Sequence, residues 1–99
     1  MTAENPNTAV EGPLDPRRKR ILFRSTHRGI REMDILLGGF IRQHVASLED
    51  DELDEVEAML DIPDQELYAW MTGRTQVPAK WDTALFRRIL EFRKQQVAG

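Results

Sequence analysis

Ile30-Arg31-Glu32-Met33-Asp34-Ile35-Leu36-Leu37-Gly38-Gly39-Phe40-Ile41-Arg42-Gln43-His44-Val45-Ala46-Ser47-Leu48 decides the fold. Apolar side chains at 30, 33, 37, 40, 41, 45 and 48 recur every three or four residues, the period of an α-helix buried along one stripe. The alternation a half-buried strand needs is absent here and in every other segment. Gly38-Gly39 lies inside the helical pattern, where each glycine costs ~1 kcal/mol against alanine. The pair therefore predicts a close helix crossing or a bend.

Outward from this helix, other helical segments follow on both sides. Asp15-Pro16 opens one well, because aspartate caps exposed N–H groups and proline loses nothing at the first helical position. It is expected to run to about His27, with Ile21 and Leu22 apolar and Gly29 marking the break before the next helix. On the other side, an acid-rich helix capped by Ser47 has Leu53, Val56, Met59 and Leu60 as its inner face. Ile62-Pro63-Asp64 restarts a short helix carrying Leu67, Tyr68, Trp70 and Met71, which Gly73 closes. Trp70 reads as a core side chain. Pro78 or Asp82 begins a last helix with Leu85, Phe86, Ile89, Leu90 and Phe92. Residues 1–14 contain Pro6, Gly12 and Pro13 and no periodicity, and read as a disordered tail. The expected fold is all-α: a small five-helix bundle, one domain over residues 15–97, behind a tail of residues 1–14.

Composition narrows the function. The 99 residues are 40 % hydrophobic and 31 % charged, a balance that suits one small solvated domain. With no cysteine, a disulfide scaffold, a zinc finger, an iron–sulfur site and thiol catalysis are excluded together. No apolar run approaches the ~20 residues that span a bilayer, so no membrane insertion is expected. The first residues lack a secretory signal pattern and contain no arginine, unlike a mitochondrial presequence. The expected location is a bacterial cytoplasm.

The net charge of −3 conceals strong segregation. Residues 1–16 carry three acids and no base, and residues 17–44 carry eight bases against Glu32 and Asp34. Residues 45–70 carry ten acids and no base, and residues 71–99 carry six bases against Asp82 and Glu91. Such blocks pair with one another inside the bundle or with a partner outside it. Both readings stand at this point.

Catalytic and ligand-binding patterns are missing. His27 and His44 are far apart and form no metal-ligand pair, so no metal site is expected. Ser25-Thr26-His27 are neighbours, but adjacent helical residues point about 100° apart and do not build a nucleophile–base dyad. No glycine-rich phosphate loop follows a strand. The acids of residues 49–57 read as a solvated face. The chain does not read as an enzyme.

Arg28-Gly29-Ile30-Arg31-Glu32-Met33-Asp34 stands out. Ile30 and Met33 belong to the apolar stripe, which sends Arg28, Arg31, Glu32 and Asp34 to the other face or its borders. Arg28 and Glu32, four apart, are spaced to pair. Gly29 fits a hinge between helices, and without a Cβ it also lets another chain approach closely. A capped helix start and a flat contact site both satisfy these residues.

This segment resembles the Arg-Gly-x-x-Glu signature of the SdhE family, the succinate dehydrogenase assembly factor 2 type of flavinylation factor. Leu48-Glu49-Asp50-Asp51-Glu52-Leu53 is similar to that family's acidic helix start. Leu60-Asp61-Ile62-Pro63-Asp64-Gln65-Glu66-Leu67-Tyr68-Ala69-Trp70 is similar to its aspartate-leucine-aromatic-x-tryptophan segment. The similarity covers about residues 17–95. It implies a five-helix protein that is not itself an enzyme. Such a protein binds the flavoprotein subunit of succinate dehydrogenase or fumarate reductase and promotes covalent attachment of FAD to a histidine of that subunit. FAD then belongs to the partner, and this chain holds no cofactor. Carried over, Arg28, Gly29 and Glu32 form the centre of the contact surface, with Arg31 and Asp34 beside them, on a chain that is monomeric when free.

Two other readings compete. Leu67 through Gly73 to Ile89 has a helix–glycine turn–helix cadence, which suggests DNA binding. Against it, Ala79-Lys80-Trp81-Asp82 is a poor start for a recognition helix and the preceding segment is acidic, so no nucleic-acid partner is expected. The other alternative is a helical adaptor for an unrelated protein.

Overall fold

The computed structural model describes residues 14–98. Among them are five α-helices and no strand: α1 (Pro16–Thr26), α2 (Arg31–His44), α3 (Asp50–Leu60), α4 (Asp64–Met71) and α5 (Ala84–Ala98). Short 3-10 turns occupy Val45–Ser47 and Ala79–Trp81. The all-α expectation is met. Of the tail expected over residues 1–14, residues 1–13 lie outside the described residues. Leu14, assigned to that tail, is half-buried and packs against the core.

Local chemistry sets the helix ends. Asp15 accepts the Arg18 backbone N–H at 2.8 Å, with Pro16 in the first turn of α1. Ser47 does not cap α3, contrary to expectation. Its hydroxyl donates to the His44 carbonyl at 3.0 Å inside the 3-10 turn. The helix starts after Glu49, whose N–H donates to Glu52 at 2.9 Å. Asp50, Asp51 and Glu52 then sit on the positive end of the helix dipole. After α4 the chain turns at Gly73, whose φ of 79° lies in the left-handed region. Pro78 begins only the turn Ala79–Trp81, and Asp82 begins nothing. α5 starts after Thr83, whose hydroxyl accepts the Phe86 N–H at 3.1 Å and donates to the Glu55 carboxylate of α3.

Residues 72–83 separate α4 from α5. A DNA-binding helix–turn–helix joins its helices with a turn of about 3–4 residues, so that reading fails on geometry. The first turn of α5 also buries Leu85 and Phe86 instead of offering polar side chains.

Most of the predicted inner positions form one core, with Leu22, Ile30, Tyr68 and Leu90 half-buried against it. Met33, Leu37, Phe40, Ile41, Val45 and Leu48 from the α2 stripe meet Leu53, Val56, Met59 and Leu60 of α3, all buried. Leu67 and Met71 of α4 and Leu85, Phe86, Ile89 and Phe92 of α5 complete it. Burying each such side chain contributes about 1.5–3 kcal/mol. Trp70 is not in this core. It is half-buried at the rim, its ring centroid 6.4 Å from that of Trp81.

The two glycines of α2 permit two different approaches. A Cβ on Gly38 would stand 2.9 Å from the Ser25 carbonyl oxygen of α1, and one on Gly39 would stand 3.0 Å from the Phe92 ring of α5. Arg18 meanwhile reaches the carbonyls of Val45 and Leu48. α1 and α2 are therefore antiparallel, with the first turn of α2 lying beyond the end of α1. Arg17 pairs with Asp54 and Glu57, and Arg24 pairs with Asp61 at 2.9 Å. Partner numbers rise together, so α1 and α3 run in the same direction. The basic and acidic blocks thus meet inside the molecule.

Candidate partner-binding site

Residues 27–30 join α1 to α2 and carry the signature segment. Arg28 anchors this junction. Its side chain is only 9 % exposed and forms an ion pair with Asp64, itself 18 % exposed, at the start of α4. The remaining guanidinium N–H groups donate to the Leu60 carbonyl at 3.1 Å and the Ile62 carbonyl at 2.8 Å. One planar fork thus ties the α1–α2 junction to the end of α3 and the α3–α4 turn. The other oxygen of Asp64 accepts the Gly29 N–H at 3.0 Å. Asp34, from the first turn of α2, accepts the Arg28 backbone N–H at 2.9 Å. Every polar group holding this loop has a partner within the chain.

The expected Arg28–Glu32 pair does not form. α2 begins only at Arg31, so residues 28 and 32 are not on one helix and the four-residue helical spacing never arises between them. The five candidate residues therefore divide into two groups. Arg28 and the half-buried Asp34 are engaged inside the molecule. Gly29, Arg31 and Glu32 are exposed, and Arg31 and Glu32 have no ion-pair partner among the described residues.

Gly29 has no internal need to be glycine. Its φ is not in the left-handed region. A Cβ there would meet only Asp64, at an ordinary 3.6 Å. The loop is thus a fixed, bare edge of backbone flanked by one cation and one anion.

Sequence reasoning missed three neighbours of this edge. Asp64 gave no local signal, since it lies 36 residues from Arg28. Ile35 is 49 % exposed, one turn along from Arg31, and its place off the apolar stripe was the available clue. Phe23, 61 % exposed, sits on the outer face of α1 with its ring stacked on His27 at 3.9 Å.

At Ser25-Thr26-His27 the Thr26 hydroxyl does come within 3.1 Å of His27 Nδ1, but that nitrogen donates to the Phe23 carbonyl at 2.8 Å and so offers the hydroxyl no base. The buried Ser25 hydroxyl donates to the Ile21 carbonyl at 2.7 Å, and Thr26 donates to the Leu22 carbonyl at 2.9 Å. His44, at the far end of α2, lies against Phe40 with the two rings tilted by 36°, and burial together with the nearby Arg88 lowers its pKa below the ordinary 6.5. Among the described residues no helix is long and apolar enough to cross a membrane.

A family model described as "Flavinator of succinate dehydrogenase" matches residues 19–93. The FAD assembly factor SdhE of Acetobacter pasteurianus is 38 % identical over 92 % of this chain and 89 % of its own length. The mitochondrial succinate dehydrogenase assembly factor 2 of Candida glabrata is 33 % identical over 89 % of this chain, and that of Saccharomyces cerevisiae is 34 % identical over 81 %. The matches span 60 % and 52 % of those two yeast proteins. The matched region runs from α1 through most of α5 and includes the Arg28 anchor, the Gly29 edge and Asp64. On that coverage the chain belongs to the flavinator of succinate dehydrogenase family.

Proposed function

We propose that this chain is an assembly factor that binds the flavoprotein subunit of succinate dehydrogenase through the edge at Gly29, Arg31 and Glu32. In doing so it promotes covalent attachment of FAD to a histidine of that subunit. The observation that carries this reading is Gly29 itself: exposed, with an ordinary backbone, with room for a side chain, and still held rigidly by Asp64. A bare backbone with no internal reason to be bare suits a partner's close approach.

FAD is held by the partner and supplies the reactive ring. The assembly factor need only favour the conformer in which the histidine meets that ring. Positioning of that kind alone removes a large part of a barrier. It requires stronger binding to one conformer of the host than to the others, and no catalytic group on this chain. Arg28 and Asp34 act from inside by fixing the loop, while Arg31 and Glu32 meet the host. The flavoprotein subunit of fumarate reductase is the alternative host in this proposal, which takes the free factor to be a monomer.

The test is to co-express the flavoprotein subunit with wild-type factor, Gly29→Arg or Glu32→Ala and read covalent flavin by in-gel fluorescence. Both variants are expected to lose flavinylation while melting within a few degrees of wild type. Full flavinylation with both would remove the site from this edge.

A further inference from the structure

We infer that the outer face of α1 is a second contact arm, and that its occupant is an acidic segment of the same flavoprotein subunit carrying an apolar side chain. The inference rests on the proposed function and extends it from one edge to a continuous surface.

α1 sorts its side chains by face. Ile21 and Ser25 are buried, and Arg17 and Arg18 turn inward to Asp54, Glu57 and the Val45 and Leu48 carbonyls. Lys19, Arg20, Phe23, Arg24 and His27 are exposed and fall at i, i+1, i+4, i+5 and i+8, one stripe on one side of a helix. Lys19 and Arg20 have no ion-pair partner among the described residues, and Arg24 has only the exposed Asp61. The stripe is therefore cationic even though α1 runs beside the acidic helix.

An aromatic knob stands at its centre. Phe23 is the most exposed large apolar side chain of the described residues, and stacking on His27 holds its ring in place. The side chains of Lys19, Arg20 and Arg24 border an apolar groove around it, their stems forming the walls and their charged heads the rim. An apolar centre in a charged rim is the build of an interface contact, and a basic rim selects an acidic complement. The stripe also joins the proposed site without a gap. Phe23, Arg24, His27, Arg28, Leu60 and Asp64 line one open cleft, and Asp64 is the residue that holds Gly29.

The test measures the affinity of the full chain for the purified flavoprotein subunit at low and moderate salt. It compares wild type, Phe23→Ser, the double variant Lys19→Glu/Arg20→Glu, and Gly29→Arg. Phe23→Ser is expected to weaken binding about tenfold at both salt levels. The double reversal is expected to weaken it about tenfold at low salt and to flatten its salt dependence. Melting should stay near wild type for both, because the replaced side chains are exposed. If both variants bind within about twofold of wild type while Gly29→Arg does not bind, the arm is overturned and the proposed function stands. If the double reversal abolishes heparin retention but leaves flavoprotein binding intact, the stripe serves a polyanion and the inference is overturned. If wild type itself does not bind the subunit, both readings fall.

Discussion

At Arg28 and Gly29, adjacent residues of one signature have opposite relations to the fold. Arg28 is needed by the chain itself: removing its guanidinium leaves Asp64 without its ion-pair partner and two carbonyls without this donor at a largely buried site. Breaking a buried pair from one side costs about 3–5 kcal/mol, and the partial exposure of Asp64 places Arg28→Ala near the lower end. Arg28→Lys should recover only part, because an ammonium keeps the charge without the planar fork. Gly29→Ala, whose added methyl meets Asp64 at an ordinary 3.6 Å, should change stability by less than ~0.5 kcal/mol. Urea titration of the three variants checks the contrast. A Gly29→Ala protein as unstable as Arg28→Ala would mean that the glycine serves the fold and not a partner. The Arg28–Glu32 pairing was misread because the partners of Arg28 are an aspartate and two carbonyls across the bundle, which no local spacing announces.

At the scale of helices, the two glycines of α2 separate crowding by backbone from crowding by a side chain. Alanine gains ~1 kcal/mol over glycine inside a helix, so both replacements begin with the same advantage. At Gly38 the added methyl would press on the Ser25 carbonyl oxygen at 2.9 Å, and backbone cannot yield without moving α1. At Gly39 it would press on the edge of the Phe92 ring at 3.0–3.1 Å, and a ring rotates or shifts by a few tenths of an ångström. Gly38→Ala is therefore expected to destabilise by about 1–3 kcal/mol and Gly39→Ala to be close to neutral. Chemical denaturation decides it, and the reverse order would mean that α5 and not α1 fixes the packing of α2. That a close crossing occurs here was legible from Gly38-Gly39 alone, as was the buried stripe, because both follow from helical periodicity. Which neighbour meets which glycine was not, since that depends on helix order in space. Ser47 was misread as the α3 cap because a serine is the favoured residue there. The actual start, at Glu49, relies on the return contact from Glu52. Trp70 was placed in the core because it lies one helical turn from Leu67 and resembles the family's tryptophan, whereas the short α4 turns Leu67 and Met71 inward and leaves the indole on the rim.

Across the whole molecule, the segregated charge becomes a pH dependence with one sign. The basic α1 lies along the acidic α3, and two of the carboxylates around it, Glu57 and Asp15, are stabilised as anions. A hydrogen bond from Arg17 holds the Glu57 carboxyl below its ordinary 4.5, and the Arg18 backbone N–H holds Asp15 below its ordinary 3.8. A group with a depressed folded pKa gives stability that is present above its unfolded pKa and is lost as pH falls through the folded one. His44 obeys the same rule from a different cause. Burial against Phe40 and repulsion from Arg88 favour its neutral form, so the unfolded chain takes up a proton near 6.5 before the folded chain does. All three groups therefore destabilise the fold on acidification, His44 below about pH 6.5, Glu57 below about pH 4.5 and Asp15 below about pH 3.8. The melting temperature, followed from pH 8 to pH 3.5 at fixed ionic strength, is expected to fall in two stages. His44→Gln should remove the upper stage, and Arg17→Gln should shrink the lower one. Added salt should weaken the lower stage more than the upper one, because the Arg17 pairs are partly open to solvent while burial is the larger cause of the His44 effect. A melting temperature that rose between pH 7 and 5.5 would require His44 to gain a partner as a cation, and that would contradict its half-buried place against Phe40 and near Arg88.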